Sequence, residues 1–304
     1  DLKMLITLFL NQFKTVSYFE AWKRSNSCHA FWHTLARLFS FCFSSADKSE
    51  FRIFVAFQTI VAMNISCFVN DYREAFGECA PLPVLFFYSD TPLADTEKTG
   101  GCFFKVLQRV RQGIPVSLNG EVIGCGGGKF YTGFASMPEY VPDFVSQKEH
   151  YKQTPGMVAD YIKQLGLEAA GKKFLNFVRA DQVDDGFEDA EGLLFFATPD
   201  ILSGLCAWAF YDNNSPDAVT SMFGSGCSSV VSLAVKENRD KGSRTFLGLF
   251  DPSVRPHVGE NELSFVIPFH RFKTMCVTMR QCCLFGTRAW GKVKERINGH
   301  CSGI

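Results

Sequence analysis

Val84-Leu85-Phe86-Phe87-Tyr88-Ser89-Asp90 returns about a hundred residues later as Leu193-Leu194-Phe195-Phe196-Ala197-Thr198-Pro199-Asp200. Each is a run of apolar and aromatic residues bounded by turn-forming ones, with the length of a buried strand rather than a helix. Helical patterns follow both. Cys102 to Gln112 places apolar residues at 103, 106, 107 and 110 and stops at Gly113; Ile201 to Tyr211 is its counterpart. Strand-like runs come next, Ile114 to Leu118 and Ala218 to Phe223. Strands alternating with helices predict an α/β (α+β) fold, a mixed sheet with helices. The repetition raises the further reading of a duplicated strand–helix–strand unit.

Both runs lead to a cysteine among glycines. The first reaches Gly124-Cys125-Gly126-Gly127-Gly128 through Glu121-Val122-Ile123, and Asn119-Gly120 between apolar runs predicts a hairpin there. The second reaches Gly224-Ser225-Gly226-Cys227-Ser228-Ser229, where a helix is expected to start at Cys227 and to favour a thiolate or a bound anion. Glycine leaves a neighbouring thiol unshielded and lets a backbone, a metal or an anion come close.

Composition sets the limits. The chain has 304 residues, 46% hydrophobic and 20% charged, with no net formal charge. That is a globular composition, with no overall electrostatic case for nucleic acid or an anionic membrane surface. No apolar stretch reaches the length of a membrane span. Twelve cysteines, scattered through a long chain, read as reduced thiols of a cytoplasmic protein, most of them small buried hydrophobes.

Residues 1–62 stand apart. They hold no glycine or proline and are rich in Phe, Ser and Trp, so turn chemistry is nearly absent. Met63 is the expected natural start, with residues 1–62 as upstream sequence read through; the alternative is a helical extension over an apolar patch. Residues 63–304 are expected to form one domain. It opens with an amphipathic helix from Asn64 to Phe76 closed by Gly77, and ends in helix from Phe269 to Ile297. The acidic run Asp181 to Glu191 lacks calcium-loop spacing and reads as a solvated loop.

Several stretches together resemble the uncharacterised ArCR family (domain of unknown function 169) of archaea and anaerobic bacteria, over roughly residues 63–297. They are Pro83-Val84, Cys102, Arg111-Gln112-Gly113, Gly124-Cys125-Gly126-Gly127, Gly133-Phe134, Pro199-Asp200, Ser225-Gly226-Cys227, Asp251 to Arg255, Glu262-Leu263 and Ile267-Pro268. The resemblance implies a soluble cytoplasmic α/β domain with recurrent cysteines, and it implies no reaction.

Two functional readings stand. In the first, Cys102, Cys125 and Cys227 converge as ligands of an iron–sulfur cluster or zinc; no C-x-x-C pair supports it, and Cys206 reads as a core thiol. In the second, Gly124, Gly126, Gly127 and Gly226, with Arg255 beside them, cradle a small anionic ligand while the cysteines only pack. A third reading, thiol catalysis by Cys125 or Cys227, lacks a paired base; His257 is the best-placed histidine. Cys282, Cys283, His300 and Cys301 fit no zinc-finger spacing.

Overall fold

The computed structural model describes residues 65–96, 98–183, 189–222 and 224–299, all within one compact unit, Thr59–Ile304. The expectations for residues 1–62, for Cys301 and for most of the acidic run lie outside the described residues.

A seven-stranded mixed sheet carries the fold, in the order β2-β3-β1-β4-β7-β6-β5. The strands are β1 Val84–Ser89, β2 Val116–Leu118, β3 Phe174–Arg179, β4 Gly192–Ala197, β5 Val219–Ser221, β6 Thr245–Gly248 and β7 Leu263–Pro268. Only β5 and β6 pair in parallel; the other neighbours are antiparallel. The two repeated sequence runs are β1 and β4, side by side at the centre. The α/β expectation therefore holds.

Alternation along the strands divides the core into two layers. Leu85, Leu193, Phe195, Phe265 and Ile267 face one side, under α1 (Ile65–Phe76), α6 (Pro199–Tyr211), α8 (Phe269–Thr278) and α9 (Arg288–Gly299). Val84, Phe86, Leu194, Phe196 and Val266 face the other, under α2 (Phe104–Arg111) and the helical stretch that includes α7 (Leu233–Arg239). Gly77 takes a φ of 96° and its N–H closes α1 on the Arg73 carbonyl, as the sequence predicts.

The two strand–helix–strand runs are not copies of one rigid unit. β1–α2–β2 and β4–α6–β5 both link a central strand to an edge strand, and β1 and β4 are antiparallel neighbours. Turning one unit by a half-turn about the sheet normal would put both helices on the same face. Instead α2 packs with Val84 and Phe86, and α6 with Leu193 and Phe195. The crossovers thus have opposite hands.

The hairpin at Asn119-Gly120 does not form. β2 pairs with β3, and residues 119–122 form a turn in which Asn119 Oδ1 accepts from the Glu121 and Val122 N–H groups. This side-chain turn offers the backbone an alternative to a strand ladder. No helix among the described residues is long and apolar enough to cross a membrane.

Candidate functional site

The loop before α2 brings Cys102 to Cys125. Thr99 N–H donates to the Val122 carbonyl at 2.9 Å, and Gly124 N–H donates to Thr99 Oγ1 at 3.1 Å. The backbones are so close that a Cβ on Gly124 would sit 2.7 Å from Gly101 N. Glycine at 124 is thus required for the two cysteine-bearing segments to touch. Cys125 then caps the short helix α3 (Gly126–Tyr131): its Sγ accepts from Gly128 N–H at 3.5 Å.

Cys227 arrives from the other end of the sheet. The chain is helical from Gly226, through a π turn at Ser228–Ser232, to the end of α7. A Cβ on Gly226 would lie 3.1 Å from Phe104 and from Val254, so this helix start packs on α2 and on the turn after β6. Tyr131 brings α3 to the same place, beside Ser225. Tyr161, from α5 (Pro155–Leu165), lies beside Ser228 with its buried hydroxyl lacking a hydrogen-bond partner among the described residues, and a Cβ on Gly224 would be 2.6 Å from both hydroxyls.

Asp251 completes the neighbourhood. Leu249, just past β6, is buried with a φ of 66°, a left-handed backbone rare for leucine. The chain turns there and sets the buried Asp251 carboxylate against the start of the Cys227 helix. It accepts from Gly226 N–H at 3.4 Å and from both Ser253 N–H and Ser253 Oγ at 2.9 Å. Tyr151 also lies beside it.

The electrostatics of these groups are shared. Burial pushes the Cys227 thiol well above its ordinary value, and charge on Cys102, Cys125 or Asp251 pushes it further. Cys102 is likewise raised by burial first and, to a lesser extent, by Cys125 and Asp251, against the lowering effect of a hydrogen bond with the Phe104 backbone and a smaller one of Lys105. Burial and Asp251 together also raise Glu149. The expectation that the helix start would favour a thiolate at Cys227 therefore fails, because desolvation outweighs the helix dipole.

The cysteines expected to converge share one electrostatic neighbourhood, with Cys125 exposed, Cys102 half-buried and Cys227 buried. Even so, among the described residues no three His, Cys, Asp or Glu side chains are grouped so as to hold a metal ion. The expected glycines serve close packing: Gly124 against Gly101, Gly126 against Pro138 and Tyr140, and Gly226 against Phe104 and Val254, while Gly127 has only Cys125 Sγ at 3.8 Å. Arg255 is not directed at these loops. Its guanidinium donates to the Glu262, Gly259 and Glu260 carbonyls and closes that turn. The anion position at the Cys227 helix start is filled by the protein's own Asp251.

Neither Cys125 nor Cys227 hydrogen-bonds a histidine among the described residues; the His257 carbonyl instead accepts from Gln108. Cys206 packs on the opposite face of the sheet, as a core thiol should. Cys79 is disulfide-bonded, so the expectation of reduced thiols does not hold there. Sequence reasoning missed Asp251, Tyr131, Tyr151 and Tyr161 as site residues. Asp251 could have been found, since Asp251-Pro252-Ser253 is a turn sequence directly after a strand.

The model of the uncharacterised ArCR family matches residues 78–277. That match contains the whole neighbourhood just described. No curated protein and no solved structure matches the chain.

Proposed function

We propose that this chain, which belongs to the uncharacterised ArCR family, binds an iron–sulfur cluster through Cys102, Cys125 and Cys227. The observation that carries the reading is that three cysteines and the buried Asp251 carboxylate come from four separate segments into one neighbourhood, where burial and nearby negative charge raise the Cys102 and Cys227 thiols. Such a set is costly to ionise when empty and gains most from a cation, which relieves both repulsion and desolvation. A cluster suits it better than a single zinc ion. Among the described residues no three side chains enclose one ion, whereas a cluster accepts more widely spaced sulfurs. An anionic ligand is less well supported, because Arg255 is engaged by carbonyls and Asp251 occupies the helix start.

The exposure of Cys125 leaves one edge of the site open to solvent, while Cys227 and Asp251 are buried. A bound cluster would supply one-electron transfer or a Lewis-acidic iron. The thiols must lose their protons to bind, so affinity should rise with pH.

Protein purified without oxygen should contain stoichiometric iron and acid-labile sulfide and should absorb broadly in the visible. Cys125→Ser, at an exposed position, should lose the iron and keep the fold. Colourless protein with neither iron nor zinc sinks the proposal; zinc without iron reassigns the site to a mononuclear ion.

A further inference from the structure

The far end of α2 gathers charge of the opposite sign. A cavity of about 470 Å³ opens there, within the size range of small-molecule sites. Arg73, Arg111 and Arg179 line it together with Gln108 and Gln112. Among the described lining residues only Glu78 is acidic, so three of the four charged groups on the cavity wall are guanidinium groups.

The arginines are anchored without being exhausted. Arg111 donates to Gln108 and to both oxygens of Glu262. Arg179 donates twice to Asp181 and once to the Arg111 carbonyl. A guanidinium has five N–H donors, so each keeps two. The carboxylates that orient these two arginines do not line the cavity. Arg73 meets Glu78 only at 3.6 Å. Two fixed forks and a third, loosely held one suit the planar oxygens of carboxylate or phosphate.

We infer that this cavity binds a small molecule carrying at least two anionic groups, carboxylate or phosphate, at a site separate from the cysteines. Citrate and pyrophosphate serve as probes of the two chemistries, titrated calorimetrically into the full chain at low salt. At least one should bind, more weakly as salt rises. Arg73→Gln and Arg179→Gln should each weaken it by about tenfold or more, equivalent to one lost charge-assisted contact. The stronger probe identifies the anionic group. Failure of both probes to bind at millimolar concentration overturns the inference. So does unchanged affinity in either variant whose melting curve matches the parent. If Arg179→Gln does not fold, Arg73→Gln, a partly exposed residue, decides alone.

Discussion

The two ends of α2 treat charge in opposite ways. At the start, Cys102 lies with Cys125, Cys227 and Asp251, and burial and neighbouring negative charge oppose ionisation of Cys102 and Cys227. At the end, Arg111 sits in a fork-to-fork pair with Glu262, at 2.6 and 2.9 Å, with its guanidinium carbon 4.8 Å from the centre of the Phe196 ring. The helix is about 12 Å long, so both environments stand on one rigid element. The difference is one of permanence. A guanidinium keeps its charge at any working pH, and its neighbours are built to receive it. Buried thiols hold charge only when a cation joins them. The arginine end is therefore part of the fold, whereas the charge state of the cysteine end would depend on the proposed cluster.

The largest effect should come from breaking the permanent end. Arg111→Ala leaves Glu262, only 15% exposed, without its partner. The expected loss is about 3 kcal/mol in denaturant unfolding. Removing Glu262 as well should restore part of it, because the cost lies in the stranded carboxylate. A loss for Arg111→Ala as small as that of an exposed pair would erase the contrast between the two ends.

The cysteine end should respond to geometry. Gly124→Ala drives a Cβ to 2.7 Å from backbone at Gly101, where no side chain can yield. It should cost about 2 kcal/mol and lower iron content by parting Cys102 from Cys125. Gly127→Ala is the matched control. Its Cβ would meet only Cys125 Sγ, at 3.8 Å, and alanine is the better helix former, so stability should hold or rise. Equal behaviour of the two variants would show that the glycine run is simply flexible loop.

How much of this was legible depended on the range of the interaction. β1, β4, α1, α2 and α6 could be read because apolar runs, helical spacing and closing glycines are local signals. The cysteine neighbourhood was partly readable, since each cysteine stood in a marked local setting. β2 was misassigned to a hairpin because its partner, β3, lies more than fifty residues on, and Asn119 serves its own turn equally well. Arg255 looked free because its carbonyl partners sit in an unremarkable turn. Asp251 was passed over because its burial comes from Leu249 turning left-handed, which no apolar pattern encodes.

The subtlest contrast appears only with pH. Thiols raised by burial stay protonated in the fold after they have ionised in the unfolded chain. Between the ordinary thiol value of 9.0 and the raised folded value, the native state therefore holds more protons. Metal-free protein should lose stability as pH climbs past that ordinary value, by about 1.4 kcal/mol per pH unit for each proton so retained. Cys276, half-buried and raised well above its ordinary value by desolvation, contributes to the same slope from the other face. Cys227→Ala should make the decline shallower without affecting neutral pH beyond the loss of one small side chain. Chemical denaturation at intervals above neutral, with parent and variant compared, measures this directly. Identical slopes would mean that Cys227 ionises freely, and the cysteine end would then need no cation to carry its charge.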